Sequence, residues 1–215
     1  MKTSFFYSLL PFVLASIFLS ACNGDNKTTE PTNNNDTTSS CTPEYANNLL
    51  KNPKFTQDQS ANKPLDWLVA QHIGEPAFDL TVENGIATVK KVSEQPWFTL
   101  SQNIDVLAIL NKTIEISADL KLNLTESKAH AFKAGGGLQV LIYGKPDDPL
   151  GSEQLAFEST LDNEPRLGVS DWKTATIILT IPKNATKMTF GFLHQANGEM
   201  SIRNPSLRII TKTCP

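Results

Sequence analysis

The chain has 215 residues, of which 40% are hydrophobic, and this is enough for one folded domain with a substantial core. Its formal net charge is −3, and it becomes −4 from residue 22 onward because Lys2 is the only charged residue before that point. Nucleic-acid binding needs a basic surface that neutralises phosphates, so the composition argues against a nucleic-acid partner. The three cysteines form no CxxC pair, which argues against zinc-ribbon and thioredoxin chemistry.

Residues 1–21 have the pattern of an export signal. One cation, Lys2, precedes an apolar run from Phe5 to Leu19, and the segment ends in Leu19-Ser20-Ala21-Cys22. The apolar run is about 15 residues long, whereas roughly 20 are needed to span a membrane. We therefore expect the segment to be cleaved and not retained as a transmembrane helix.

The motif Leu19-Ser20-Ala21-Cys22 resembles the bacterial lipobox, in which the cysteine becomes the acylated N-terminus of the mature protein. This resemblance implies a lipid anchor on Cys22, and Asn23 after it favours the outer membrane of a Gram-negative bacterium. Several acyl chains hold a protein at a membrane more firmly than the single chain that binds only marginally. Ordinary secretory cleavage beside an incidental cysteine is the alternative.

Residues 22–40 are predicted to be a flexible tether, and residues 41–215 the folded domain. The tether contains no large apolar residue, and its r.m.s. span is roughly 25 Å for a chain of this length. Cys41 and Cys214 bracket the foldable segment, and an exported protein lives where disulfides persist. We expect the two cysteines to pair and to act as a structural staple, not as a redox site.

The folded segment is predicted to be all-β because its dominant hydrophobic period is two. In residues 113–124 every second residue is apolar, from Ile114 to Leu124. Shorter segments of the same kind are predicted as strands at 67–73, 77–82, 85–92, 97–102, 138–143, 174–181, 188–193, 200–202 and 206–211. Residues 135–137, all glycine, are predicted as a turn, and residues 105–110 as a helical turn. This spacing favours a two-sheet antiparallel β-sandwich, with a jelly roll as the expected topology.

A family resemblance covers nearly all of residues 45–210. Its parts are the opening at 48–55, the segment 64–67 with Trp67, the block at 95–104 that continues into 112–121, and the end at 171–173, 190–192 and 198–207. These segments resemble the galactose-binding-like jelly roll of carbohydrate-binding modules of families 4, 9 and 22. The resemblance implies a non-catalytic domain that binds a polysaccharide or oligosaccharide.

The resemblance also raises the question of a structural calcium ion. Members of these families often carry an acidic residue after the phenylalanine of the first strand and an aspartate in the last strand. Here those places hold Thr56 and Arg203. Calcium needs six to eight oxygen ligands, so a cation in place of a carboxylate argues against the metal, and we expect no cofactor.

The motifs of common enzymes are absent from the sequence. The three histidines show no HExxH or paired-ligand spacing, and no GxSxG, P-loop or GxGxxG motif occurs. A pair of carboxylates at the separation used by glycosidases cannot be recognised from sequence spacing. We therefore expect a protein that is not an enzyme.

Candidate sugar-binding residues come from strand faces that point away from the predicted core. Sugars are bound by aromatic rings that stack on the pyranose and by polar side chains that bond its hydroxyls. Trp97 shares a face with Thr99 and Ser101, while Gln139 and Tyr143 share a face opposite Leu138 and Val140. We expect Trp97 to be the platform and Gln139 and Tyr143 its neighbours; packing in the core or on the surface is the alternative.

Three further residues complete the prediction. His194 follows a strand and is a candidate for a hydrogen bond to a sugar hydroxyl, with a plain surface position as the alternative. Trp67 and Trp172 each begin a strand, and both are expected to serve packing.

Two functions remain open at this point. The first is a membrane-anchored module that captures carbohydrate at the cell envelope. The second is an envelope scaffold that docks another protein through its β-sandwich. Two or more aromatic rings exposed on one concave face favour the sugar, whereas a flat apolar patch favours a protein partner.

Overall fold

The computed structural model describes residues 42–58, 63–129, 133–145, 153–163 and 166–213. Cys22, Cys41 and Cys214 lie outside these residues, and so do the export segment, the lipidation site and the disulfide predicted from them. Among the described residues no helix is long and apolar enough to cross a membrane.

The described chain forms thirteen strands and one short helix. Their bounds are β1 Thr42–Tyr45, β2 Gln57–Asp58, β3 Lys63–Pro64, β4 Leu68–Gln71, β5 Phe78–Glu83, β6 Ile86–Lys91, β7 Phe98–Ile104, β8 Thr113–Thr125, β9 Gly135–Gly144, β10 Glu153–Ser159, α1 Thr160–Asn163, β11 Gly168–Thr180, β12 Ala185–Gln195 and β13 Asn197–Thr213.

The strands form two antiparallel sheets, as predicted, together with the small β2–β3 ribbon. Within the described residues the first sheet has the order β11-β8-β13-β6-β5, with β1 added beside β13, and the second has the order β10-β9-β12-β7-β4. If strands β6 to β13 are counted from one to eight, the two sheets have the orders 1-8-3-6 and 2-7-4-5. This alternation between the sheets is the jelly roll, two Greek keys wound together, and it confirms the predicted fold class.

Alternation along the strands places the core between the two sheets. In β8 the residues from Ile114 to Leu124 that lie at even positions are buried, and the residues between them are half-buried or exposed. In the second sheet Leu138, Val140 and Ile142 are buried in the same way. Because the period of a strand is two, each of these strands leaves its other face for a partner or solvent.

Four aromatic rings fill one end of the core. Trp67 is 1% exposed, and its ring centroid lies 5.0 Å from that of Phe55 and 5.7 Å from that of Phe192. Phe190 completes the cluster at 5.3 Å from Phe192. Trp67 therefore packs in the core, as expected. Trp172 is different, because it is half-buried on the outside of the first sheet beneath the guanidinium of Arg203.

The first and last strands of the domain lie side by side. In the β1–β13 ladder Thr42 pairs with Thr213 and Tyr45 pairs with Ile210. Backbone bonds continue the contact beyond β1, since the amide of Leu49 donates to the carbonyl of Leu207 at 2.8 Å. The described chain thus begins and ends at neighbouring positions of one sheet.

Three local predictions need correction. Residues 135–137 do not form a turn: they open β9, and the strand is three residues longer at this end than predicted. The segments predicted at 200–202 and 206–211 are one strand, β13, whose register shifts between Arg203 and Ser206. The sequence prediction also missed β10, because a register shift between Gln154 and Ala156 breaks its alternation.

Candidate functional site

A cleft of ≈ 540 Å³ lies on the outer face of the second sheet. Its floor comes from the central strands β9 and β12, which contribute Gln139, Leu141, Leu193 and Gln195. One side comes from β4 and β7 and the residue before β7, and the other from β10, α1 and Lys133. A volume of this size is typical of small-molecule sites, which run from roughly 300 to 1,000 Å³.

Two aromatic rings stand on opposite sides of this cleft. Trp97 lies next to β7 and is half-buried, and Phe157 lies on β10 and is 40% exposed. Their strands are separated by β12 and β9, which is roughly 14 Å across the sheet at three strand spacings. The rings are also offset along the strands, because Phe157 pairs with Leu141 whereas Phe98, next to Trp97, is level with Gly136. The ring of Trp97 contacts that of His72 edge-on, with 6.4 Å between the centroids. The cleft therefore offers an apolar ring on each side of a floor made of aliphatic and amide side chains.

The polar groups of the cleft are mainly neutral. Amides come from Gln139, Gln154 and Gln195, and hydroxyls come from Thr99 and Ser159. Lys133 and Asp162 are the charged side chains in the described lining, and their opposite signs balance. The ammonium of Lys133 also donates to the backbone carbonyl of Asp162, which joins the start of β9 to the short helix. Such a lining suits an uncharged ligand that carries both apolar faces and hydroxyl groups.

The glycines that open β9 hold the wall formed by α1. A Cβ atom on Gly137 would lie 2.3 Å from the Thr160 hydroxyl oxygen, so only a glycine allows the helix to approach this closely. The hydroxyl of Thr160 in turn accepts a hydrogen bond from the amide of Leu138 at 3.0 Å. Leu161 is 2% exposed between the helix and the sheet. Gly137 thus allows α1 to pack directly against β9 and to form one side of the cleft.

Two of the predicted sugar-binding residues lie in the cleft lining. These are Trp97 and Gln139, which the structure brings onto the same outer face of the sheet. Tyr143 also lies on that face, opposite Gln154 in the ladder, but it stands outside the cleft lining. Contact of these side chains with a sugar stays a prediction.

The prediction for His194 is wrong. Strand β12 continues to Gln195, so the inward alternation of Phe190 and Phe192 carries His194 into the core, where it is 0% exposed. Its ring meets Phe78 at 5.3 Å, and neither ring nitrogen has a hydrogen-bond partner of good geometry. Burial lowers the pKa of His194 to about 4, with a smaller opposing effect from the Gly198 backbone. A buried imidazole cannot reach a ligand on the outer face.

The sequence reading missed several residues of the lining. Phe157 was missed because β10 was not recognised, and Lys133, Leu161 and Asp162 lie outside any periodic segment. Gln195 could have been found, because extending the alternation of β12 by two residues places His194 inward and Gln195 outward. Gln195 is 1% exposed and lies at the bottom of the cleft.

The residues at the expected calcium position do not fit that metal. Thr56 and Arg203 border a second, more polar depression, whose other lining residues are Pro53, Lys54, Phe55, Gln57, Val82, Asn84, Gly85, Ile86 and Asn204. No carboxylate belongs to this described lining, and two of its side chains are cations. Calcium is bound by several oxygens, with carboxylates among them, so this set of donors opposes a divalent cation.

No protein-family model and no curated protein sequence matches the chain. Solved structures do show similarity. One is the enzymatically active domain of tailspike protein 4 of bacteriophage CBA120, with 13% identity and a TM-score of 0.49 over 75% of this chain and 21% of that one. This chain therefore corresponds to about a fifth of the length of that protein.

Two further neighbours are carbohydrate-binding modules. A CBM4 structure has 17% identity and a TM-score of 0.47, and the match covers 74% of this chain and 98% of that one. The CBM22-1 xylan-binding domain of Paenibacillus barcinonensis Xyn10C has 12% identity and a TM-score of 0.43, with 78% and 97% covered. These modules are of the class that the sequence resembles. Their identities are too low to transfer a ligand to this chain.

Proposed function

We propose that this protein is a non-catalytic lipoprotein that binds a neutral oligosaccharide or polysaccharide in the cleft of its second sheet. The observation that carries the proposal is the pair of rings, Trp97 and Phe157, on opposite sides of one cleft. A pyranose has apolar C–H faces that stack on such rings and hydroxyls in its plane that bond to amides. Gln139 and Gln154 supply amides in the same lining.

The cleft favours sugar over the docking of another protein. A protein partner would be expected on a flat apolar patch, whereas these rings line a recess with polar groups at its floor and sides.

A binding role without catalysis agrees with the charges in the cleft. The usual glycosidase mechanism places two carboxyl groups on either side of the scissile bond. The described lining presents one carboxylate, that of Asp162. We accordingly assign the cleft to capture and not to hydrolysis.

The anchor and the location form the second part of the proposal. The lipobox-like motif that ends at Cys22 supports acylation, and Asn23 supports sorting to the outer membrane. The tether of residues 22–40 would then let the domain reorient while it stays near the membrane. Its partners are thus a glycan and the lipid bilayer.

Titration calorimetry of the purified protein against xylan, β-glucan, galactan and alginate tests the sugar proposal. We expect binding to at least one neutral glycan and weaker or no binding to alginate, which is an acidic polymer. A stacked ring contributes about 1 to 3 kcal/mol by burial, so Trp97→Ala should weaken binding roughly tenfold to a hundredfold. Phe157→Ala should act in the same direction.

Tyr45→Ala is the matched control, because Tyr45 is an exposed aromatic residue on β1 of the other sheet. It should leave the affinity unchanged, and thermal melts should show all three variants folded. The proposal fails if the wild type ignores every glycan, or if Tyr45→Ala weakens binding as much as Trp97→Ala does.

A further inference from the structure

Asp119 is the centre of a hydrogen-bonded group on the outside of the first sheet. Its carboxylate accepts bonds from the Thr174 hydroxyl at 2.8 Å, the Asn204 amide at 3.0 Å and the Arg203 Nε at 3.2 Å. These three donors come from β11 and β13, the strands on either side of β8. The bond from Thr174 is the largest cause that holds the pKa of Asp119 below its usual value, and those from Asn204 and Arg203 act in the same direction.

Arg203 has a second contact that fixes its position. The carbon at the centre of its guanidinium lies 4.2 Å from the centroid of the Trp172 ring, which is a cation–π distance. The guanidinium is therefore held between Trp172 on β11 and Asp119 on β8. Both β11 and β13 change register next to these residues, between Ser170 and Lys173 and between Arg203 and Ser206. One cationic side chain thus ties three strands together where two of them are irregular.

The neighbouring loop at residues 52–56 is closed by a side-chain amide. The Asn52 oxygen accepts from the Thr56 amide at 2.8 Å, and its nitrogen donates to the carbonyls of Thr56 at 2.9 Å and Leu65 at 2.8 Å. The loop holds Phe55 in the core at a φ of 53°, a left-handed conformation that is unfavourable for a bulky residue. Asn52 therefore bonds to three backbone groups of this strained loop and the segment that follows it.

Arg203 and this loop border the same polar depression, at the place where related modules can hold calcium. A bound ion would crosslink the loop to the last strand through oxygen ligands. Here protein groups hold each side separately: Asn52 holds the loop, and the Arg203 guanidinium with Asp119 and Trp172 holds the last strand. The positive charge at this depression is therefore supplied by an arginine of the chain and not by a bound metal ion.

We propose that this position does not hold calcium, and that the Arg203 guanidinium and the Asn52 amide stabilise the last strand and the loop separately, so that the fold is independent of calcium. The guanidinium of Arg203 is a covalent part of the chain, so a chelator cannot remove it. Lys54 on the same depression adds further positive charge and opposes the entry of a divalent cation.

Thermal melting of the full-length protein in excess EDTA and in millimolar CaCl2 tests the first half of the proposal. We expect the same Tm in both conditions. A Tm that falls in EDTA, or that rises when calcium is added, would overturn the proposal.

The second half is tested by Arg203→Met and Arg203→Lys, with Arg208→Met as the matched control. Arg208 is an exposed arginine on the same strand, opposite Glu115 in the ladder. We expect Arg203→Met to lower Tm by roughly 2 to 6 °C through loss of the ion pair and the ring contact. Arg203→Lys should lower it by less, because charge remains but the planar fork is lost. Arg208→Met should stay within about 1 °C of the wild type, since exposed pairs contribute little.

Equal melting temperatures for Arg203→Met and Arg208→Met would show that Arg203 has no structural role and would overturn the proposal. Sugar affinity provides an independent control, because the depression lies outside the lining of the cleft. Failure of the glycan-binding tests would leave these melting results unaffected, so the two proposals can fail separately.

Discussion

A substitution of Gly137 by alanine should displace the helical wall of the cleft. The added Cβ would lie 2.3 Å from the Thr160 hydroxyl oxygen, and the next atoms, of Leu161, would lie at 3.4 and 3.5 Å. Only the first distance is an impossible contact, so Thr160 must move. Movement breaks its buried bond to the Leu138 amide, at a cost of about 1 to 3 kcal/mol, and overpacking of a tight site adds a similar amount.

These terms predict that Gly137→Ala lowers the free energy of unfolding by about 2 to 4 kcal/mol, or Tm by roughly 5 to 15 °C. The assay is urea denaturation of the wild type, Gly137→Ala, Thr160→Ala and the double variant. Thr160→Ala removes the clashing oxygen together with the bond, so the double variant should be about as stable as Thr160→Ala alone. The glycan affinity of Gly137→Ala should also fall, because Leu161 and Asp162 line the cleft.

Additivity would refute this reasoning. If the losses from Gly137→Ala and Thr160→Ala sum in the double variant to within about 0.5 kcal/mol, the two residues act independently. The glycine would then be required for some reason other than the approach of the helix.

Three other predictions concern stability and anchoring. Because the pKa of His194 is about 4 in the fold, against 6.5 for an ordinary imidazole, the unfolded chain binds an extra proton between those values. The free energy of unfolding should therefore fall as the pH drops from 6.5 toward 4, by about 3 kcal/mol, and His194→Leu should flatten this part of a pH series of urea titrations. Intact mass spectrometry should show the protein lighter by two hydrogen atoms than its reduced form, through pairing of Cys41 with Cys214, and reduction should destabilise the domain by up to about 5 kcal/mol; free thiols in the non-reduced protein would contradict the pairing. Replacing Cys22 by serine should move the protein from the membrane to the soluble fraction, and continued membrane binding would mean a different anchor.

The fold was predictable because apolar and polar residues alternate along most of its strands. The residues from Ile114 to Leu124 specify both the existence of β8 and the face that it buries. Strand β10 was not predictable in this way, because its register shift interrupts the period that identifies a strand. The glycines that open β9 were wrongly predicted as a turn, because a run of glycines is typical of turns. Here Gly137 instead makes room for α1, a helix more than twenty residues further along the chain.

The candidate site was predictable only where it lies on regular strands. The outward positions of Trp97 and Gln139 could be predicted from the alternation of β7 and β9. The error at His194 arose because the prediction ended β12 two residues too early. Phe157 and Asp162 depend on how β10 and α1 fold back over the sheet. That placement is a tertiary contact, and the sequence near these residues carries no periodic signal for it.

The pairing of β1 with β13 would have a mechanical consequence if the domain is anchored by its N-terminus, as we propose. Tension on residue 42 first loads the Thr42–Thr213 pair at the free end of the ladder. The hydrogen-bonded pairs of the β1–β13 ladder would then break one after another, because the force acts on one pair at a time and is not shared among all of them. A disulfide between Cys41 and Cys214 would close this end of the ladder and transfer the force to β13, which lies in the middle of the sheet. A glycan pulling from the opposite sheet would then strain the whole sandwich and not its outermost strand.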